Sequence, residues 1–189
     1  MSGNNDGDDG SNSLDDEQLL RAQLKPNPSI DDVIGFVSLH WLECKTIKME
    51  SMRKIESYDD ANFYCEASAD IGDDHDKIYH SYLIKCYNAI ETSTDSSSKL
   101  LHGLGLMLTR INEKLTTDLQ VPTIVMPSSI ESSNYVLMND CLVSDGSRKK
   151  VAVRLFKWIH GYVVTHDIYV VTHDVYDIII HDTYVIYYT

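Results

Sequence analysis

The sequence predicts an α+β fold, and three features of the chain support this. Apolar residues recur at helical spacing in residues 29–45 and again in residues 98–119, which indicates two amphipathic helices. Three runs rich in β-branched and aromatic residues lie between these helices, and two more follow the second helix. The predicted order is therefore helix, three strands, helix and two strands, an arrangement typical of α+β domains.

Each predicted helix has a start signal. Ser29 precedes the first helix as its N-cap, and Ser97 or Ser98 is the candidate cap of the second. Gly103 and Gly105 weaken the second helix by roughly 1 kcal/mol each relative to alanine. The first helix is predicted to bury a face made of Ile30, Val33, Ile34, Val37 and Trp41.

Five strands are predicted from alternation and turn chemistry. The first three cover residues 46–55, 62–67 and 78–87. The last two, "NYVLMND" and "KVAVRLFKWIHG", are joined by a hairpin turn at Asp145-Gly146. The segment "VPTIVMP" between the second helix and the fourth strand is predicted to be a proline-bounded connection.

The 189 residues divide into three predicted segments. Residues 1–28 are dominated by Gly, Asn, Asp and Ser and are predicted to be a disordered acidic tail. Residues 29–161 are the globular domain, of a size that buries one core. Residues 162–189 repeat a seven-residue unit carrying three His-Asp pairs, and they are predicted to be a low-complexity tail.

Metal binding is the alternative function for the two tails. Asp6, Asp8 and Glu17 match positions 1, 3 and 12 of a calcium loop, but Ser11 stands where that loop needs glycine. His166 and His173 are seven residues apart and would point to opposite faces of a strand. We therefore predict no metal site among these residues.

Composition limits the partners and the compartment. The formal net charge of −13 opposes binding to nucleic acids and to anionic membranes. Cys44, Cys65, Cys86 and Cys141 lie among apolar neighbours and form no CxxC pair, so buried free thiols are expected. The start of the chain has no signal-peptide pattern, and no apolar run is long enough to span a membrane. These features predict a cytoplasmic protein that binds neither nucleic acid nor membrane.

Lys85 lies in the middle of the apolar run "SYLIKCYN". A buried ammonium group is costly without a partner, so a functional anion ligand is one interpretation. An edge lysine that extends to solvent is the other. The acidic stretch "SYDDAN", residues 57–62, connects the first two predicted strands and is either a functional loop or an ordinary hairpin turn.

Three segments together resemble a known family. "IESYDDANFYCEA", "YLIKCYNA" and "VRLFKWIHG" are similar to the corresponding segments of the hydroxylysine kinase group, within the aminoglycoside phosphotransferase-like (choline kinase-like) family. The resemblance covers about residues 30–163 and implies a protein-kinase-like small lobe with a five-stranded, mostly antiparallel sheet. It also implies an ATP-dependent kinase that transfers phosphate to a small hydroxyl-bearing substrate, with ATP and Mg²⁺ as the cofactor.

The resemblance also implies the nucleotide-binding residues. The loop would cover the phosphates, with acidic residues that either fix the loop, face solvent or help to hold magnesium. The lysine of the third strand would hold the α- and β-phosphates. The backbone of the last segment would contact adenine, while a core position remains the alternative for Trp158. The implied set is Ser57, Tyr58, Asp59, Asp60, Asn62, Lys85, Lys157, Trp158 and Ile159.

The sequence departs from the family in two respects. The helix after the third strand carries His102 or Gly103 where the family places a glutamate that pairs with the lysine. After Gly161 no His-Gly-Asp motif follows, so the large helical lobe and its catalytic aspartate are expected to be missing. The chain by itself is therefore predicted to be a truncated and inactive kinase, and the alternative is a non-catalytic nucleotide-binding or interaction module.

Overall fold

The computed structural model describes residues 12–71, 77–114, 121–128 and 134–159. Within them the architecture is α+β, as the sequence predicts, with three α-helices and one antiparallel sheet. The helices are α1 (Asn12–Gln23), α2 (Ile30–His40) and α3 (Asp95–Lys114). The strands are β1 (Thr46–Ile47), β2 (Arg53–Ile55), β3 (Ala61–Ser68), β4 (His80–Cys86), β5 (Ile124–Val125), β6 (Val136–Leu142) and β7 (Arg148–Lys157).

The sheet places β4 at its centre. Its spatial order is β1-β3-β4-β7-β5, with β2 also pairing with β3 and β6 also pairing with β7. Every pairing is antiparallel. Lys85 therefore lies in a strand with a neighbour on each side, and the edge position considered for it is wrong.

The predicted number of five strands is wrong, because the sheet already has seven within the described residues. Residues 46–55 form β1 and β2 with a 3-10 turn at Met49–Ser51 between them. At this turn Ser51 Oγ accepts a hydrogen bond of 2.8 Å from the Glu66 N–H, so a side chain satisfies the donor where strand pairing stops. The other additional strand is β5, which lies inside the connection predicted for residues 121–127 and pairs with β7.

Local turn and capping signals have mixed outcomes. The hairpin at Asp145-Gly146 is confirmed, and Gly146 has a φ of 84°, a backbone conformation that favours glycine. The cap predicted at Ser97 or Ser98 is wrong, because α3 already begins at Asp95. Thr94 is the capping side chain, since its Oγ1 accepts from the Ser97 N–H at 3.1 Å.

One face of the sheet packs against α2 to form the core. Val33 and Val37 of α2 are fully buried there, with alternate residues of β3, β4 and β7. Trp41, which follows α2, is also fully buried, and its Nε1 donates to the Val125 carbonyl at 2.8 Å. All four cysteines are buried free thiols, as predicted. Burial raises the thiol pKa of Cys65 to about 12 and that of Cys141 to about 11.

The N-cap of α2 is confirmed and gives a stability prediction. Ser29 Oγ accepts from the Asp32 N–H at 3.1 Å, while Asp32 Oδ2 accepts from the Ser29 N–H at 3.3 Å. Replacing Ser29 with alanine removes the capping acceptor and should lower the free energy of unfolding by about 1 kcal/mol in urea denaturation. Ser38→Ala, inside the same helix, is the matched control and should change stability by less than about 0.5 kcal/mol. Equal losses in the two variants would contradict a capping role for Ser29.

The amino-terminal segment differs from the prediction of disorder. Residues 12–23 form α1, and the chain continues to α2 in contact with the domain. The main-chain contacts of residues 23–27 with the β6–β7 hairpin hold this segment, and composition alone gives no sign of them. The calcium alternative rests largely on residues before 12, and the repeat of residues 162–189 lies wholly outside the described residues. No helix in the described part of the chain has the length and apolar character needed to cross a membrane.

Candidate functional site

The face of the sheet opposite α2 carries a row of polar side chains across three strands. Asn62 of β3, Lys85 of β4 and Arg154 of β7 are direct cross-strand neighbours. Directly opposed residues in an antiparallel sheet point to the same face. The row therefore combines one amide and two cations at the centre of the sheet, where an apolar row is the ordinary expectation.

Lys85 is held by the loop between β2 and β3. Its Nζ lies 2.8 Å from Asp60 Oδ2, and the side chains are 17% and 8% exposed respectively. Asp60 Oδ1 accepts a second bond of 2.8 Å, from the Asn88 N–H. Burial raises the pKa of the Asp60 carboxyl, and the attraction of Lys85 offsets part of that rise. Asp60 is thus a carboxylate partner of Lys85.

The last turn of α1 and the segment that follows it bind the same loop. Lys25 Nζ donates to the Ser57 carbonyl and, at 2.9 Å, to the Tyr58 carbonyl. Arg21 Nη1 lies 3.0 Å from Asp59 Oδ2. The two adjacent loop acids therefore each have a cationic partner, Asp59 in Arg21 and Asp60 in Lys85.

Arg21 and Asn88 join the loop to two further segments. Arg21 Nη1 also contacts Glu91 at 3.2 Å, and its Nε contacts Glu17 at 3.1 Å. The three carboxylates around the guanidinium raise the pKa of Arg21, although partial burial opposes the rise. Asn88, which is fully buried, donates through Nδ2 to the Arg21 carbonyl at 2.8 Å and to the Asp59 carbonyl at 3.0 Å. These contacts fix the backbone of the loop from the side of α1.

The residues predicted to contact adenine, Lys157, Trp158 and Ile159, lie at the other end of β4, and we call this segment the hinge. The Lys157 N–H donates to the Thr123 carbonyl and the Trp158 N–H donates to the Ser81 carbonyl, both at 2.9 Å. Ile159 is the one of the three whose amide donates to no partner within residues 12–71, 77–114, 121–128 and 134–159. The loop meets β4 at Cys86 and the hinge meets it at Ser81, so about 15 Å of extended strand separates them.

Aromatic packing marks the hinge end of this face. The ring of Trp158 packs edge-on against Tyr64, with centroids 5.1 Å apart. The guanidinium of Arg53 covers the Tyr64 ring at 4.4 Å. Trp158 is half-buried at the margin of the sheet, which differs from the core position considered as the alternative for it.

Asn62 leaves a polar atom without a partner in this row. Its Oδ1 is buried and accepts no hydrogen bond. Buried polar atoms are almost always paired, so this orphan acceptor beside Lys85 fits a donor from outside the described residues. A water molecule or a hydroxyl group of a ligand has the required chemistry.

Comparison with known proteins adds no family to this geometry. No family model, curated protein or solved structure matches the chain. Function is therefore inferred from the residues and their contacts.

The structure brings some of the predicted residues together and separates others. Ser57, Tyr58, Asp59 and Asp60 form one loop, which meets Lys85 through Asp60. Lys157, Trp158 and Ile159 form a second group at the far end of the same sheet. Asn62 lies between the two groups in the sequence, and in the sheet it is the cross-strand neighbour of Lys85.

Sequence reasoning missed five residues around the site. They are Arg21, Lys25, Asn88, Asn134 and Arg154. Arg21 and Lys25 could have been noticed in the sequence, because they are the only lysine and arginine among the first 27 residues. Arg154 is also visible, since it is a charge inside the apolar run "VAVRLF".

Arg154 connects the polar row to α3. It is 1% exposed, and its Nη2 donates to Asn134 Oδ1 at 2.7 Å and to the carbonyl of Leu101 in α3. Its Nη1 donates to the Tyr87 hydroxyl at 2.9 Å, and Lys85 Nζ lies 4.8 Å from the centre of the same ring. The position of α3 is thereby tied through Arg154 and Tyr87 to Lys85.

Proposed function

We propose that residues 29–161 are a nucleotide-binding small lobe of the aminoglycoside phosphotransferase-like kind, with ATP and Mg²⁺ as its ligand. The observation that carries the proposal is the placement of Lys85 Nζ, 2.8 Å from Asp60 at the acidic loop. Kinases use a strand lysine, oriented by a carboxylate, to hold the α- and β-phosphates. In this chain Asp60 takes the orienting role that the family gives to a helix glutamate.

The dimensions of the site support an elongated ligand. The loop and Lys85 offer donors at one end of β4, and the backbone around Ile159 offers a donor about 15 Å away at the other end. A nucleoside triphosphate has its phosphates and its base at opposite ends. The Asn62 oxygen, buried and unpaired between them, accepts from a ribose hydroxyl or a metal-bound water in this proposal.

Two activities are compatible with such a lobe. The first is phosphoryl transfer to a hydroxyl group of a small molecule, which also needs a positioned metal and a residue that orients the nucleophile. The second is nucleotide binding without transfer, which needs only the loop and Lys85. The four free thiols favour a reducing compartment, such as the cytoplasm, for either activity.

Isothermal titration calorimetry with ATP and Mg²⁺ tests the proposal. We expect saturable binding by the unaltered chain. The double variant Lys85→Met/Asp60→Asn should bind with an affinity lower by roughly tenfold or more. This variant loses the phosphate-binding ammonium group without leaving the Asp60 carboxylate buried and unpaired. Lys149→Met removes an ammonium group from an exposed position of β7, away from the acidic loop in the sheet, and should leave affinity unchanged. No binding by the unaltered chain at millimolar ATP would refute the proposed function. Unchanged affinity in the double variant would refute the role of Lys85.

A phosphate-transfer assay separates the two activities. The acceptors are 5-hydroxylysine, choline, ethanolamine and an aminoglycoside, each with ATP and Mg²⁺. Turnover that disappears in the Lys85 double variant identifies a phosphotransferase. ATP binding without turnover of any acceptor identifies a non-catalytic nucleotide-binding module.

A further inference from the structure

The amino-terminal strap, which we define as residues 21–27, crosses one end of the sheet and is fastened on two sides. On one side the Asn27 N–H donates to the Leu142 carbonyl at 2.8 Å, and the Ser144 N–H donates to the Lys25 carbonyl at 2.9 Å. On the other side Arg21 and Lys25 bind the loop of residues 57–60. The strap therefore connects the β6–β7 hairpin to the candidate phosphate loop.

Lys25 determines which way two consecutive peptide groups of the loop face. Its ammonium accepts no hydrogen bond and can only donate, and it donates to both the Ser57 and the Tyr58 carbonyls. The N–H and C=O of one trans peptide group point in opposite directions, and the described chain has no cis peptide. The N–H groups of Tyr58 and Asp59 are therefore turned away from Lys25, side by side.

These two N–H groups are available to a ligand. Within the described residues neither the Tyr58 nor the Asp59 N–H donates to any protein atom. Tyr58 is 78% exposed, so solvent and ligands reach this part of the loop. Successive backbone N–H groups that point the same way form a concavity that binds anions.

Two cations offset part of the repulsion between an acidic loop and phosphate. Arg21 of the strap lies 3.0 Å from Asp59 Oδ2, and Lys85 of β4 lies 2.8 Å from Asp60 Oδ2. Arg21 also contacts Glu17 and Glu91, so it screens Asp59 without neutralising the whole cluster. Asn62 Oδ1, one residue past Ala61 at the start of β3, has no donor among the described residues, and a ligand hydroxyl or a metal-bound water would satisfy it.

We propose that the strap organises the loop for phosphate, with Lys25 as a positioning residue that turns the Tyr58 and Asp59 N–H groups towards the ligand. This inference rests on the proposed nucleotide-binding function and adds to it a segment that lies before the small lobe. Lys25 itself acts through the two carbonyls that it binds. The family resemblance does not include this segment.

Titration with tripolyphosphate and with ATP and Mg²⁺ tests the inference, using calorimetry for affinity and amide NMR for the loop. In the unaltered chain we expect both ligands to shift the Tyr58 and Asp59 amide resonances. Lys25→Met releases both carbonyls, and it should weaken binding roughly tenfold, as expected if one hydrogen bond from a loop N–H to phosphate is lost, and should abolish those two shifts. Lys25→Arg, which keeps donors at this position, should restore at least part of both effects.

Lys45→Met is the matched control, because Lys45 Nζ also donates to a backbone carbonyl, that of Ser38 at 3.2 Å, and makes no hydrogen bond to residues 57–60 within the described chain. It should bind like the unaltered chain. If Lys25→Met binds equally well, or binds weakly while the Tyr58 and Asp59 shifts persist, the positioning role is refuted although the proposed function stands. If the unaltered chain binds neither ligand, both the proposed function and this inference are refuted.

Discussion

Replacing Lys85 with methionine should lower the free energy of unfolding by about 3 kcal/mol, because it leaves the Asp60 carboxylate buried without its counter-ion. Asp60 is 6% exposed, and its remaining hydrogen bond from the Asn88 N–H does not neutralise the charge. The Lys85 side chain is 17% exposed and that of Asp60 is 8% exposed, so most of the free-energy cost of breaking the ion pair comes from the buried Asp60 carboxylate. Urea denaturation followed by circular dichroism measures the loss.

The double variant Lys85→Met/Asp60→Asn separates a charge effect from a packing effect. An asparagine at residue 60 still accepts from the Asn88 N–H but carries no charge, so the double variant should recover at least half of the loss. Asp60→Asn alone should cost less than Lys85→Met, because the lysine left behind has access to solvent. A double variant as unstable as Lys85→Met would show that the ammonium group stabilises the fold through packing and not through Asp60.

The loss in Lys85→Met should also depend on pH. Burial already raises the pKa of Asp60 above its ordinary value, and removing the lysine raises it further. A carboxyl whose folded pKa is raised binds its proton more tightly when folded, so its contribution to stability falls as pH rises from about 4 through the folded pKa. The difference between the variant and the unaltered chain should therefore shrink on acidification, and a difference that grows would contradict the assignment to Asp60.

The parts of the fold set by local chemistry are the parts that the sequence predicts well. The capping box at Ser29, the glycine turn at Gly146 and the alternation of β3 and β4 depend on residues a few positions apart. The strand breaks at Met49–Ser51 and the start of α3 depend on single side-chain bonds from Ser51 and Thr94. Periodicity does not register such bonds, and the prediction fails at those points.

The candidate site is predicted only in part because its partners are distant in sequence. Lys85 is conspicuous as a charge in an apolar strand, but its partner Asp60 is found only when the loop folds back over β4. Arg21 and Lys25 are 38 and 33 residues from the loop atoms they contact. The low apolar content of the tail gives no sign of α1, which carries Arg21, or of the segment after it, which carries Lys25. Composition describes residues 1–28 as a whole, whereas the contacts with the loop depend on the side chains of Arg21 and Lys25.

Gly103 and Gly105 of α3 also show that the sequence does not reveal contacts with residues distant in the chain. By propensity both weaken α3 equally. In the structure a Cβ on Gly103 would meet nothing within 4 Å, whereas a Cβ on Gly105 would lie 2.1 Å from Asn134 Nδ2 and 2.3 Å from its Cγ. Gly103 is exposed and Gly105 is buried, so only Gly105 is required by packing.

Asn134 has no freedom to move away from a side chain at residue 105. It is 2% exposed, its Nδ2 donates to the His102 carbonyl at 2.9 Å and its Oδ1 accepts from Arg154 at 2.7 Å. Displacing its amide breaks both bonds and leaves the Arg154 guanidinium short of an acceptor. The clash and the lost bonds cost about 3 kcal/mol, of which the better helix propensity of alanine returns about 1 kcal/mol.

Gly105→Ala should therefore lower the free energy of unfolding by about 2 kcal/mol, whereas Gly103→Ala should raise it by about 0.5–1 kcal/mol. The two substitutions are chemically identical and two residues apart, so opposite signs in parallel urea denaturation curves can come only from the contact with Asn134. Two stabilised variants would mean that α3 is not clamped by Asn134 and Arg154. Because Arg154 and Lys85 share the Tyr87 ring, Gly105→Ala should also weaken ATP binding in the calorimetric assay, and Gly103→Ala should not.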